Sequence, residues 1–328
     1  MKILIADKFE DVGLDALKDL GCTVEFQPEL TTDDLPGALG EHAPDILVVR
    51  STKVPAPVFD ASDALKLVIR AGAGYDTIDT DAAGARGVSV ANCPGMNSTA
   101  VAELAMGFML ALDRRIPQQT ADLRGGVWAK KAWAKYGRGL KGRTLGLIGV
   151  GQIGRLVARR ALAFEMKILY QDIVPCEELD NHPDAQRVER EELLKNSDIV
   201  SLHVPAIPET KNLINADTLA LMQPHAYLIN TTRGSVVDQP ALAAALKNGT
   251  IGGAALDVYA DEPKAEDKTI DMEILSLPNF IGTHHVGAST EQAQVAVAEE
   301  AVRIVQQFKE TGEVLHCVNA DALAAAAT

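Results

Sequence analysis

The chain has only four cysteines in 328 residues, at Cys22, Cys93, Cys176 and Cys317, with no CxxC pair. That excludes a disulfide framework and a thiolate zinc cage, and suits free thiols in a reducing compartment. The seven histidines include no HExxH spacing, so no metal is expected. Basic residues are in the minority, 31 against 45 acidic, and the net charge of −14 argues against nucleic acid or an anionic membrane as partner. A few convergent arginines can still build an anion pocket on such a chain. No apolar run approaches the roughly 20 residues of a membrane span. The apolar run in the opening MKILIADKFEDVG is too short for a signal sequence and meets acidic residues at once. The cytoplasm is therefore the expected address. The remaining composition, 47% hydrophobic and 23% charged, is ordinary for a globular protein, and the length suffices for two domains.

Short apolar runs alternate with helical patterns. Residues 2–6, 45–50, 67–69 and 88–91 read as parallel-type strands, and 11–20 and 81–86 as helices stopped by Gly21 and Gly87. Residues 99–112, apolar all round and capped by Ser98 or Thr99, predict a helix buried between domains or subunits. Residues 123–143, with Trp128, Trp133, Tyr136 and several Lys and Gly, predict an extended arm for a subunit contact. A second series follows, with strands at 144–148, 167–171, 199–203, 227–230, 253–257 and 280–283. Its helices are predicted at 153–163, 190–195, 217–221 and 239–248, then a long one at 291–310 that returns the chain to the first domain. The alanine-rich tail 322–327 is expected to fray. The fold class is thus α/β, two doubly wound parallel-sheet (Rossmann-like) domains with an active-site cleft between them. A substrate-binding domain takes 1–97 plus 291–328. An NAD-binding domain takes 98–290, with a dimerisation helix and arm at 98–143.

Gly149, Gly151 and Gly154 form GVGQIG directly after the strand TLGLI and before a helix. In that setting the glycines serve a tight turn, close approach of a pyrophosphate, and close packing of helix on strand, while the helix N-terminus offers free N–H groups. Asp172 ends the next strand, where it would bind the adenosine ribose hydroxyls and repel a 2′-phosphate. Ile173, Val174 and Pro175 follow it with no arginine, so NAD is the expected cofactor. Three later segments bring polar residues to the carboxyl ends of predicted strands: Arg233 in NTTRGSVVD, Asp257 and Glu262 in ALDVYADEP, and His284 and His285 in HHVGAST. Taken singly each is a poor signal. Together they supply an anion clamp, a carboxylate and an imidazole on the ligand-binding edge.

These motifs, with RSTKV (50–54), RAGAGYDTID (70–79), PGMNSTAVAE (94–103) and HVPAIPET (203–210), resemble those of the D-isomer-specific 2-hydroxyacid dehydrogenase family. The resemblance runs from about residue 2 to 319, and is nearest to short D-3-phosphoglycerate dehydrogenases, enzymes of serine biosynthesis. It implies that Arg233 binds the substrate carboxylate, that His285 exchanges the hydroxyl proton, and that Glu262 fixes the imidazole tautomer and raises its pKa. It places Thr231 and Asp257 at the nicotinamide end, and Gln152, Ile153 and Val204 at the pyrophosphate and adenosine side. The chain departs from the family at His284, where a proline usually precedes the catalytic histidine.

On the substrate side, Arg50, Ser51 and Lys53 follow a strand, and Arg70 opens a loop whose amides at Ala73 and Gly74 would grip a carboxylate. Asn97 caps a hinge, and Lys130 matches a family position used for phosphate. Arg50, Lys53, Arg70 and Lys130 would suit a phosphorylated substrate. Glyoxylate or hydroxypyruvate reduction is the alternative activity, and an NAD-sensing corepressor-like protein the alternative of another class. The chain stops where longer relatives carry regulatory domains, so feedback through such a domain is not expected. A homodimer or higher homo-oligomer is expected, as is hinge closure near Asn97–Ser98 and near 287–291.

Overall fold

The computed structural model describes residues 1–263 and 269–326. The chain divides into two compact units, Met1–Asn97 with Ser289–Thr328, and Ser98–Ala288.

The first unit is built on strands β1 (Lys2–Ile5), β2 (Thr23–Phe26), β3 (Ile46–Val49), β4 (Leu67–Arg70) and β5 (Ser89–Asn92). They pair in parallel in the order β2-β1-β3-β4-β5. Continuous apolar runs are required because both faces are covered. Ile3, Ile5, Ile46, Val48, Leu67 and Ile69 meet Leu17 on one face, together with Ile304 and Val305 of the helix Glu291–Thr311. Leu4, Leu47, Val49, Val68 and Val90 meet Leu35, Leu39 and Phe59 on the other. The period-two alternation of a strand sorts neighbouring residues between these two cores.

The second unit holds β6 (Thr144–Ile148), β7 (Lys167–Gln171), β8 (Ala185–Arg187), β9 (Ile199–Leu202), β10 (Tyr227–Asn230), β11 (Gly253–Leu256) and β12 (Phe280–Gly282). These too are parallel, in the order β12-β11-β10-β9-β6-β7-β8. The chain order reverses between β6 and β9, the switch point where such sheets bind ligands. The expected doubly wound α/β class is what the chain adopts.

Three expectations need correction. The helix Ser98–Arg114 buries Ala102, Ala105, Met106, Met109 and Leu112 in the core beside β6, β10 and β11 of its own unit, so that sheet accounts for much of its apolar character. The arm predicted at 123–143 is not extended throughout: it begins in the last two residues of the helix Ile116–Arg124 and holds the short helix Lys130–Trp133. Trp133 Nε1 donates to Asp122 at 2.8 Å, and Asp113 anchors the arm's exit by accepting from the amides of Arg138 and Gly139 and from Arg143 at 3.0 Å. Lastly, the alanine-rich tail forms the helix Ala320–Ala326, and Gly84 leaves room for Ala322 against the helix Thr80–Ala85. Ala327, the last residue of that predicted tail, lies outside the described residues.

Candidate active site

The glycine loop follows β6, and its three glycines meet different demands. Gly149 has φ +91, and a Cβ there would stand 2.5 Å from the carbonyl oxygen of His203. A Cβ on Gly154 would lie 2.2 Å from the carbonyl oxygen of Gly149. Both are required by the fold itself. Gly151 differs: nothing lies within 4 Å of a Cβ placed there, and its φ of −65° is open to other residues. Space kept free at the N-terminus of the helix Gln152–Ala163, beside the amides of Gln152 and Ile153, fits a pyrophosphate.

Asp172, just past β7, accepts from the amide of Val150 at 2.6 Å and from Val174 at 3.1 Å. It therefore braces the glycine loop, and its remaining lone pairs can receive ribose hydroxyls. Asp172 also lines a cavity of about 450 Å³ with Gln171, Arg187, Val188, Glu189 and Glu192. Arg187, at the end of the edge strand β8, donates to the Asp172 carbonyl oxygen at 2.8 Å. No arginine follows Asp172 directly in the sequence; Arg187 reaches it from the end of the neighbouring strand, through the pairing of β7 with β8. Val204 follows β9 and packs against the core, and its methyl Cγ1 would lie 3.0 Å from a Cβ on Gly149. Thr231, just past β10, has a buried Oγ1 with no partner among the described residues, a vacancy that suits a cofactor group. These features together fit a dinucleotide.

Arg233 stands three residues past β10 in a loop stapled by Asn230, whose side chain accepts from Thr232 and donates to the Arg233 carbonyl at 2.9 Å. A Cβ on Gly234 would fall 1.9 Å from the Tyr259 carbonyl oxygen, so only glycine lets this loop approach the one that carries Glu262. Glu262 accepts from the Tyr259 amide at 3.2 Å and pairs through Oε2 with His285 Nδ1 at 2.8 Å. Burial works to raise the Glu262 pKa. The hydrogen bond and charge of His285, the Tyr259 amide and the charge of Arg233 outweigh it, and hold the carboxyl below its ordinary value. Glu262 is therefore ionised at neutral pH.

His285 has φ +54, a left-handed conformation uncommon outside glycine. Asp257, only 2% exposed, holds it there. Its carbonyl oxygen accepts the His285 amide at 2.8 Å, and its carboxylate accepts Thr283 Oγ1 at 2.5 Å, Val286 N at 2.9 Å and Gly287 N at 2.8 Å. Sequence reading placed Asp257 at the nicotinamide end and missed this clamp, since nothing local links residues about 30 positions apart. None of the bonds to Asp257 involves His284. The backbone N–H at position 284 donates to no acceptor among the described residues, so a proline there would cost the loop no hydrogen bond.

In the first unit, Arg50, Ser51 and Lys53 follow β3, and Arg70 ends the adjacent β4, paired with Val49. The loop after Arg70 is held by Asn92 Nδ2, which donates to the Ala73 carbonyl at 2.6 Å. The amides of Ala73 and Gly74 meet no acceptor among the described residues, leaving two donors for an anion. Asn97, the last residue of this unit's first segment, has a buried Oδ1 with no partner among the described residues. Lys130 belongs to the second unit, exposed at the start of its short helix.

The profile of the D-isomer specific 2-hydroxyacid dehydrogenase, NAD binding domain, matches residues 106–287. A D-3-phosphoglycerate dehydrogenase of Methanocaldococcus jannaschii is 41% identical over 312 residues, covering 93% of this chain and 58% of that protein. A hydroxypyruvate reductase of Thermotoga maritima is 44% identical over 269 residues, covering 82% and 85%. A protein of Thermus thermophilus of solved structure superposes with a TM-score of 0.86 at 35% identity, covering 97% of this chain and 100% of that one. The chain spans 58% and 54% of the length of the phosphoglycerate dehydrogenases of Methanocaldococcus jannaschii and Synechocystis.

Proposed function

Because the chain belongs to the D-isomer-specific 2-hydroxyacid dehydrogenase family, we propose that it interconverts a small D-2-hydroxy acid and its 2-oxo acid with NAD, preferring 3-phosphoglycerate and 3-phosphohydroxypyruvate. The observation that carries this reading is the 2.8 Å pair of Glu262 and His285 on the loop that Asp257 clamps. Bound NAD supplies the hydride acceptor, or as NADH the donor. Ionised Glu262 keeps the proton of the neutral imidazole on Nδ1, which leaves Nε2 as the atom that exchanges a proton with the substrate hydroxyl. Arg233 binds the carboxylate with its planar fork, orients C2, and stabilises charge that develops on the adjacent oxygen. Gly151, Gln152, Ile153, Asp172, Val204 and Thr231 hold the dinucleotide. The carboxylate of Asp172 favours NAD over its 2′-phosphorylated form.

Substrate choice rests on Arg50, Ser51, Lys53 and Arg70 at the carboxyl edge of the first sheet, and on Lys130 in the arm. The free amides of Ala73 and Gly74 and the side chain of Asn97 complete the candidate set. The names of the relatives support both members of the choice, a phosphoglycerate dehydrogenase and a hydroxypyruvate reductase. The test compares kcat/KM for 3-phosphohydroxypyruvate, hydroxypyruvate, glyoxylate and pyruvate in NADH oxidation. A preference of about a hundredfold for the phosphorylated acid, or some 2.7 kcal/mol, is expected of a phosphate held by several cations. An unphosphorylated acid as best substrate would make this a hydroxypyruvate or glyoxylate reductase and leave the basic residues without a phosphate.

A second copy of the chain is the proposed partner. The helix Ile116–Arg124 has no buried residue, and Leu123, Val127 and Trp128 are 58%, 50% and 79% exposed. Between residues 114 and 143 stand nine basic side chains against the single acid Asp122, within a chain of net charge −14. An apolar, basic arm complements the acidic remainder of a second copy. Sedimentation that finds only a 34.9 kDa species at micromolar concentration would contradict this. Among the described residues no helix is long and apolar enough to cross a membrane, and the cytoplasm is the proposed address.

A further inference from the structure

The chain order of the first sheet reverses between β1 and β3, so the loops leaving these two adjacent strands diverge at the carboxyl edge. One side chain spans that point. Asp7, two residues past β1, accepts on Oδ2 the backbone N–H of Arg50 at 2.7 Å, of Ser51 at 3.1 Å and of Thr52 at 3.1 Å. Three successive amides converging on one oxygen form an anion-binding concavity, filled here by the protein's own carboxylate. Beyond these residues the chain is next fixed at Val54, whose amide donates to the Thr77 carbonyl at 2.9 Å. Between β3 and Val54, those three amides have Asp7 as their acceptor. The loop has lesser holds as well: Arg50 Nη1 donates to Gln294 Oε1 at 3.2 Å, and Thr52 Oγ1 to the Leu30 carbonyl at 3.4 Å. All of these groups lie within the first unit.

We propose that Asp7 is a positioning residue for the substrate, setting the backbone of residues 50–52 so that the cationic loop meets the anion already ordered. The inference rests on the reading above, that Arg50, Ser51 and Lys53 contact the substrate. Asp7 acts on binding in two opposed ways. Its negative charge, at the backbone of the loop that carries Arg50 and Lys53, weakens the pull of that loop on an anion. Its hydrogen bonds order a segment that would otherwise be ordered at the expense of binding. Ordering is the dominant effect, because three backbone donors are committed to a single oxygen. The two effects separate chemically: Asp7→Asn removes the charge and keeps a carbonyl oxygen for the amides, whereas Asp7→Ala removes both.

The experiment uses the full chain and whichever of 3-phosphohydroxypyruvate and hydroxypyruvate has the higher kcat/KM. Asp7→Ala is expected to raise the KM of the 2-oxo acid about tenfold or more, with the KM of NADH within about twofold of wild type. Asp7→Asn is expected to recover most of that loss. A KM that falls in both variants would overturn the proposal in favour of a purely electrostatic role. A lowered melting temperature with an unchanged KM would overturn it in favour of a purely structural one. Arg50→Ala and Lys53→Ala, measured alongside, separate the two layers of the argument. If they raise the KM and Asp7→Ala does not, the positioning role fails and the substrate reading stands. If neither changes the KM, the substrate reading fails and the proposal falls with it. A measurement on wild type is independent of whether variants fold. Amide hydrogen exchange should find Arg50, Ser51 and Thr52 protected before substrate is added. Exchange at the rate of an unstructured chain would overturn the proposal.

Discussion

Gly151→Ala should separate what the fold needs from what the cofactor needs. A Cβ at this position meets nothing within 4 Å, and the backbone lies at φ −65°, ψ −156°. Two small effects oppose one another: alanine is a poorer N-cap than glycine, and it reduces the freedom of the unfolded chain. Their net effect on stability is under about 1 kcal/mol. For a unit of this size that is a melting shift of no more than about 2–4 °C. The added methyl does, however, occupy space beside the first amides of the helix, where the pyrophosphate is placed. An NADH dissociation constant raised at least tenfold, about 1.4 kcal/mol, is expected. Gly154→Ala is the control. Its Cβ would stand 2.2 Å from the Gly149 carbonyl oxygen, so helix and strand must move apart. Overpacking of this kind costs about 1–3 kcal/mol, roughly 3–10 °C. Calorimetric melting of the free protein, and titration with NADH followed by fluorescence, read the two quantities separately. Gly151→Ala with normal melting and normal NADH affinity would refute the placement of the pyrophosphate.

Two further perturbations test how the site is held. Asp257→Asn replaces one carboxylate oxygen by an amide nitrogen that must face a donor, Thr283 Oγ1, Val286 N or Gly287 N. Loss of charge-assisted bonds at a buried site should cost about 3 kcal/mol and lower kcat with it; unchanged melting and kcat would remove the clamp from the account. His203 has its pKa pushed down to about 3 by burial, and its Nδ1 is sealed without a partner among the described residues. The unfolded chain takes up a proton near pH 6.5 that the folded state refuses, so stability falls as pH drops from about 6.5 towards 3, by up to about 1.4 kcal/mol per pH unit. Urea unfolding at pH 7 and pH 5 should differ by about 2 kcal/mol less in His203→Gln than in wild type, and an equal difference in the two proteins would contradict the buried neutral imidazole.

How much of this was legible in the sequence follows from the range of the interactions involved. The buried central strands announced themselves as unbroken apolar runs. Two of the edge strands did not: β2 (TVEF) is half-exposed and β8 (AQR) carries no large apolar residue. The helix Leu35–His42 escaped notice because its Pro and two Gly break the periodicity, yet Leu35, Ala38 and Leu39 bury it against the sheet. At the site, Arg233, Glu262 and His285 could be picked out as residues at strand ends, and their roles came only with the resemblance. The groups that hold them in place were not legible at all. Asp257 reaches residues about 30 positions on, Asp7 reaches loop amides more than 40 positions on, and Arg187 comes to Asp172 from a neighbouring strand. Such partners become visible only when the sheet order is known.

The central claim is that His285 exchanges the proton at the substrate hydroxyl while the glycine loop holds the cofactor. The most direct test is His285→Ala, with kcat followed as NADH loss and NADH binding measured in the same preparation. The account predicts a kcat lowered by about 10²–10⁴-fold, the usual contribution of general acid–base catalysis, with NADH affinity within about twofold of wild type. Full turnover by the variant would contradict the assignment and point to the neighbouring His284.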